Sequence, residues 1–427
     1  MKKTRESLTV VIKLGSSSIL SPDTLLPNLS TLSAIAETCL ILLKEGHKVV
    51  IVSSGAIAMG MKRMGKKEKG KGIPEKQALA AIGQGRLIAL WDNLFSQLDQ
   101  PIAQVLLTRN DISDHSRFMN ARSTLLTLLS QGVIPIVNEN DTISVSEIKF
   151  GDNDTLSAIA AALVSADWLF LCTDVECLWT ENPRRAPEGR AKQVLQVRDI
   201  EEVRRIVSTS TLGSSLGTGG METKLIAAEL ATAAGVSTVI TLGSQPSRII
   251  SIIASYTSSP TNTSRPATAE PVVLGPLSSS STIPLHTRFH ALPTPLPHRR
   301  FWVLHALSPR GSVFIDEGAY RAILSHGAGG NGGRLLPSGV AGVEGVWAAG
   351  QAVKVVVREK GVMSWGKEDT MEVGRGLANY NSVEIERVKG LRSSELEKVL
   401  GYIEAEHVVE SITVLDKSGM ITPKLSS

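Results

Sequence analysis

Short apolar runs alternate with longer amphipathic stretches through the first 240 residues. Leu8 to Leu14, Val49 to Val52, Ile102 to Leu107, Val133 to Val137, Trp168 to Cys172 and Thr238 to Leu242 each read as a buried strand. Between them, Leu29 to Glu45, Glu75 to Leu98, Ala121 to Gln131, Leu156 to Ser165 and Thr223 to Ala234 carry apolar residues at helical spacing. Strands that are apolar throughout and alternate with helices predict a mostly parallel sheet covered on both faces, an α/β fold. Ligands of such sheets bind beyond the carboxyl ends of the strands. The polar clusters fall at those ends: Gly15-Ser16, Ser54-Gly55, Asn138 to Asp141 and Thr173-Asp174.

The texture changes twice further on. Residues 258–282 turn to Ser, Thr and Pro, with a polyserine run at Ser278 to Ser281, which predicts a surface insertion. From Arg299 to Arg392, strand-like segments (Phe301 to Leu304, Val353 to Val357) alternate with Gly-rich turns such as Gly327 to Gly333, as in a small β-rich domain. The expected division is therefore 1–298, 299–392 and a C-terminal tail at 393–427 that forms a short helix at Ser394 to Leu400.

At 427 residues, two domains are the prior. The net charge of +4 (45 basic less 41 acidic residues) is too small to imply nucleic-acid binding by itself. The stretch 299–392 holds 13 basic and 9 acidic residues and lacks the basic, aromatic-rich surface of a strong single-strand binder. Three cysteines, Cys39, Cys172 and Cys177, give neither metal spacing nor an even disulfide set, so a reducing, cytoplasmic setting is expected. No apolar run is long enough to span a membrane.

Two lysines stand in unusual places. Lys13 interrupts an apolar strand just before Gly15; it either snorkels to the surface or emerges at the strand end to meet an anion. Lys224 opens a helix after Gly217-Thr218-Gly219-Gly220-Met221-Glu222-Thr223, a Gly-rich loop of the kind that cradles phosphate but without the Gly-Lys-Ser/Thr of a Walker motif. Asn138, Asn140 and Asp141 follow a strand directly, and Asp152, Asn153 and Asp154 follow a short loop later. This acceptor and carboxamide chemistry suits a substrate ammonium group and the positioning of lysines; Asx turns and a helix cap are the plainer use. No Ser/His/Asp set stands out, and the histidines show no paired ligand spacing, so no protein metal ligand is named.

Ile51-Val52-Ser53-Ser54-Gly55-Ala56, Leu106-Leu107-Thr108-Arg109, Asn138-Glu139-Asn140-Asp141, Gly151-Asp152-Asn153-Asp154 and the loop ending at Lys224 resemble, in order, the motifs of the glutamate 5-kinases. The resemblance covers Leu8 to roughly Leu242. Leu335 to Val340, with Val343-Glu344-Gly345, is similar to a PUA domain. The resemblance implies the αβα sandwich of the amino-acid kinases and the phosphorylation of L-glutamate by ATP, with Mg²⁺. It implies Lys13, Lys224 and Asp154 as catalytic residues, and Ser54, Gly55, Asn138, Asp141, Asp152 and Asn153 around glutamate. For ATP it implies Lys13, Gly15, Thr173, Asp174 and the loop Thr218, Gly219, Gly220, Met221, Glu222, Thr223 and Lys224. Proline as feedback inhibitor and a homo-oligomer follow from the same resemblance. A related acceptor (aspartate, N-acetylglutamate, carbamate or UMP) and RNA binding through the PUA-like part are the competing readings.

Overall fold

The apolar runs form the middle of one sheet. The computed structural model describes residues 7–68, 72–108, 111–112, 114–143, 153–181, 190–207, 220–257, 270–275, 283–293, 309–327, 333–358 and 370–414. The chain divides into two compact units, Met1–Pro295 and Leu296–Ser427.

In the first unit, β1 (Thr9–Leu14), β2 (Lys48–Ser53), β3 (Ile102–Leu107), β4 (Ile134–Glu139) and β5 (Trp168–Thr173) precede β6 (Leu178–Trp179), β7 (Gln193–Val197) and β8 (Ser237–Leu242). β9 (Val272–Leu274) and β10 (Thr287–Phe289) complete a ten-stranded sheet in the order β3-β4-β2-β1-β5-β8-β10-β7-β6, with β9 beside β7. The six strands from β3 to β8 in this order are all parallel to one another. β10 runs antiparallel to β8.

The connecting helices are α1 (Ser16–Ile19), α2 (Leu29–Lys44), α3 (Ala56–Arg63), α4 (Ile73–Ser96), α5 (His115–Ser130), α6 (Asn153–Leu163), α7 (Ile200–Ile206), α8 (Met221–Ala233) and α9 (Arg248–Thr257). Alternation along β1 decides which helices see which residues. Val10, Ile12 and Leu14 join one buried core with Leu32, Trp91, Phe170 and Ile252. Val11 and Lys13 therefore face the opposite layer, where α6 packs on β1. Every residue of α6 from Asp154 to Leu163 is buried, and its alanines let it lie close to the sheet. Together these layers make the αβα sandwich expected from the sequence.

α3 and α4 approach to backbone contact. A Cβ at Gly60 would stand 1.9 Å from the Leu79 carbonyl oxygen, and one at Gly83 would stand 1.8 Å from that of Ala56. Only glycine leaves room for this crossing.

The second unit holds β11 (Gly311–Ile315), β12 (Gly333–Leu335), β13 (Val340–Gly345), β14 (Ala352–Arg358), β15 (Thr370–Ala378) and β16 (Val409–Val414), in the order β12-β16-β15-β14-β11-β13. The helices α10 (Glu317–Gly327), α11 (Ser382–Val388) and α12 (Leu396–Leu400) accompany them. The buried Tyr380 hydroxyl donates to the Ala405 carbonyl at 2.6 Å and accepts from the Glu404 and Ala405 amides, each at 3.0 Å.

Two stretches differ from expectation. Within the supposed insertion, Val272–Leu274 pairs antiparallel with β7, and the Pro271 carbonyl accepts from the Arg198 and Asp199 amides at 2.8 and 3.2 Å. Backbone pairing needs no apolar composition, so a Ser/Thr/Pro-rich neighbourhood concealed it. Within the supposed tail, β16 pairs with both β12 and β15, an interior place in the sheet. The expected strand at 301–304 lies outside the described residues, as does most of the turn at 327–333. No helix among the described residues is long and apolar enough to cross a membrane.

Candidate active site

Four polar side chains converge where the starts of α6 and α8 meet the carboxyl end of β1. Lys13, one residue short of the end of β1, is only 5% exposed and ion-pairs with Oδ1 of Asp154, which is fully buried in the first turn of α6. From the first turn of α8, Lys224 brings its Nζ to 3.3 Å from Oδ2 of the same carboxylate and 3.4 Å from the Gly220 carbonyl. Thr223 Oγ1 lies 2.9 Å from Asp154 Oδ2 and 2.8 Å from the Gly220 oxygen, with one proton to give to either. Asp154 thus joins two lysines from opposite sides. It is not the helix cap that the plainer reading allowed.

Burial opposes ionisation of Asp154, but Lys13 and then Lys224, with hydrogen bonds from Lys13 and Thr223, outweigh it. The carboxyl is held well below the usual carboxylate range. Two ammonium groups facing one carboxylate leave a net positive site, suited to an anion that bears more than one charge.

Beside this triad lies a carboxamide cluster. Asn138, near the end of β4 and 1% exposed, accepts at Oδ1 from the Glu139 amide at 2.9 Å and from Asn153 Nδ2 at 3.0 Å. Its own Nδ2 donates to Gln84 Oε1 on α4 at 2.8 Å. Asn153 Nδ2 also reaches Ser54 Oγ at 2.9 Å. The remaining oxygen, Asn153 Oδ1, is buried and has no hydrogen-bond partner among the described residues. A buried acceptor left open in this way fits a ligand donor such as an ammonium group. Asn153 and Asp154 are consecutive, so one helix start serves both clusters.

Ser54 follows β2 and donates its amide to the Leu14 carbonyl at 3.1 Å. Gly55 caps α3 with φ +114°, a backbone setting that favours glycine. Below them, the Trp91 indole donates to Ser53 Oγ at 3.0 Å in the buried interior. Asp141 sits in the turn after β4, where Thr142 Oγ1 bonds to Asn140 Oδ1.

On the other flank, Thr173 ends β5 and donates to Asp174 Oδ1 at 3.0 Å. Its carbonyl accepts from the Gly243 amide at 2.7 Å, and a Cβ on Gly243 would stand 2.7 Å from Ser18 Oγ. Gly15 lies beside the triad, since a Cβ there would be 4.0 Å from Lys13 Nζ. Gly220 caps α8 with no side-chain hydrogen bond among the described residues, and the backbone amides of a helix start suit an anion. Met221 and Glu222 begin that helix, with Glu222 3.9 Å from Arg204 and so directed to α7. Asp152, Thr218 and Gly219 lie outside the described residues.

A family model described as the amino acid kinase family matches residues 8–242, and one for the PUA domain matches residues 311–400. "Probable glutamate 5-kinase" of Schizosaccharomyces pombe is 48% identical over 95% of this chain and 93% of that protein. "Glutamate 5-kinase" of a Cyanothece species is 43% identical, covering 94% of this chain and 97% of the relative. "Glutamate 5-kinase" of a Synechocystis species is 42% identical, covering 94% and 95%.

The chain belongs to the amino acid kinase family, among its glutamate 5-kinases.

Three residues of this kinase's site escaped the reading of its sequence. Gln84 looks like one more polar residue on a long helix, Ser53 like the last residue of a buried strand, and Gly243 like an ordinary turn glycine. The usable signal was Gly83 inside a helical pattern, since a helical glycine can mark a close approach.

Proposed function

We propose that this site transfers the terminal phosphoryl group of ATP to the side-chain carboxylate of L-glutamate, giving L-glutamate 5-phosphate, the first step of proline synthesis. The observation that carries the reading is Asp154 holding Lys13 and Lys224 together beside an amide cluster whose Asn153 Oδ1 is open. The acceptor carboxylate, with an ordinary pKa of about 4.3, is ionised at neutral pH and needs no general base. What the reaction needs is two anions held together while charge spreads over the phosphoryl oxygens. Positioning and electrostatics supply that.

In this reading Lys13 and Lys224 neutralise the phosphoryl group in flight, and Asp154 fixes both ammonium groups. Ser54, Gly55, Asn138, Asp141, Asp152 and Asn153 hold glutamate. Gly15, Thr173, Asp174 and the segment from Thr218 to Lys224 hold the nucleotide. Mg²⁺ would arrive on the ATP phosphates and offset their charge. Asp154, already facing two ammonium groups, is unsuited to ligate it. Proline shares the α-carboxylate of glutamate and a charged α-amine, secondary rather than primary, and would compete for the amide cluster.

Incubation with Mg-ATP and hydroxylamine tests the reading, because hydroxylamine traps an acyl phosphate as a hydroxamate. Glutamate-dependent ADP release with matching hydroxamate is the expected result. ADP release with aspartate, N-acetylglutamate or UMP but not with glutamate would remove glutamate as acceptor.

A further inference from the structure

We infer that Gln84 is a positioning residue for the amino-acid acceptor: it anchors a carboxamide relay, Gln84–Asn138–Asn153, that aims the open Asn153 Oδ1 at the ligand. The inference rests on the acceptor reading above and extends it to a residue on a different element, α4.

The hydrogen-bond pattern permits one arrangement. Asn138 Oδ1 receives two donors, the Glu139 amide and Asn153 Nδ2, so this end of the carboxamide must be oxygen. Its other end is then an NH₂ group on a residue only 1% exposed, which needs an acceptor. Gln84 Oε1, at 2.8 Å, is the protein acceptor. Asn153 Nδ2 is in turn committed to Asn138 Oδ1 and Ser54 Oγ. That commitment leaves Asn153 Oδ1 as the end that has no partner and is available to a ligand. Without the glutamine oxygen, the buried Asn138 NH₂ loses its acceptor, and the carboxamide is held at its Oδ1 end alone, by the Glu139 amide and Asn153 Nδ2. The looser Asn138 in turn weakens one of the two contacts that orient Asn153.

Gln84 reaches this position through the helix crossing. Its neighbour Gly83 is where α4 meets the Ala56 carbonyl at the start of α3, one residue past the Gly55 cap. The contact that admits only glycine therefore sets the distance from α4 to the end of β4. The hydrogen bonds that build the relay run among Ser54, Gln84, Asn138 and Asn153, the side chains assigned to the acceptor and their support.

The test compares Gln84→Met, which keeps length and helix propensity but loses the acceptor oxygen, with Gln84→Glu, which keeps an acceptor oxygen. In the hydroxamate assay, Gln84→Met is expected to raise the KM for L-glutamate about tenfold, as for loss of one buried hydrogen-bond partner. The KM for ATP should stay within about twofold, and Gln84→Glu should return the glutamate KM most of the way to wild type. A lower Tm with both KM values unchanged would overturn the inference and leave Gln84 a purely structural partner of Asn138. Equal rises in both KM values, or no difference between Met and Glu, would overturn it too. Wild type, run alongside, separates the two readings. If it makes no hydroxamate from glutamate, the acceptor assignment fails, and the relay is read from the KM of whichever acceptor does support ADP release.

Discussion

The first unit buries ionisable groups at both ends of its parallel strands and handles them in opposite ways. At the carboxyl ends, the buried Asp154 stays charged because it faces two lysines. At the amino ends, Arg288 of β10 touches Trp168 and Ser237, the first residues of β5 and β8. Its guanidinium lies 4.1 Å from the Tyr256 ring centroid and 4.9 Å from that of Trp168, and it pairs with no carboxylate among the described residues. The histidines nearby give up their charge instead. His286 bonds to the Pro284 carbonyl and the Tyr256 hydroxyl, and burial lowers its pKa. His290 is pushed down to about 3, by burial first and then by Arg288 and Arg198. A cluster that keeps its charges by pairing them can act on a charged ligand. One that covers a cation with rings and neutralises its neighbours holds the sheet together.

The sharpest way to break this comparison is one substitution in each cluster. Lys224→Ala should lower turnover by roughly two to three orders of magnitude, as for loss of one electrostatic stabiliser, with Tm near wild type. Arg288→Met should do the reverse, lowering Tm while turnover changes less than about twofold. If Arg288→Met slowed turnover as much as Lys224→Ala, the functional division between the two ends would fail.

A smaller effect is expected where α3 meets α4. Gly83→Ala places a methyl group against the Ala56 carbonyl and should lower the urea midpoint by an amount equivalent to about 1–3 kcal/mol. Glutamate KM should rise as well, because the crossing carries Gln84. An unchanged midpoint would show that the helices part without cost.

The smallest effect is one of pH. Both clusters contain groups whose folded pKa is depressed, so the unfolded chain binds more protons and acid favours unfolding. The windows differ. His290, about 6.5 when unfolded, withdraws stability as pH falls below that value until about 3. Asp154 does so only below about 4. Between pH 7.5 and 5.5, Tm should therefore fall in wild type and fall less steeply in His290→Gln. Parallel slopes in the two proteins would remove His290 from the acid response.

Much of the sandwich was legible because its signals are local. β1, β2 and β5 are apolar throughout, and Gly15, Ser54 and Thr173 mark their ends. The lysines were legible because Lys13 breaks an apolar strand and Lys224 opens a helix. Their common partner, Asp154, was legible only through the family resemblance, because by its own pattern it looks like any residue that caps a helix. β9 was hidden by the composition around it. β16 was hidden because its partners are remote in sequence, and six residues carry little pattern alone. Gln84 was hidden because a glutamine that bonds to a strand end looks, in one dimension, like one that faces water.

The place of β16 bears on the order in which the protein is made. A ribosome delivers the chain from its amino end, and the first unit, ending at Pro295, has all its strands before the second begins. The second sheet has no such freedom. Its interior strand is encoded at 409–414, after both of its partners, so β12 and β15 must wait unjoined until those residues have been made. A message cut short anywhere between Ala378 and Val409 would yield a finished kinase unit joined to a sheet with two bare edges, the kind of surface that invites aggregation and disposal.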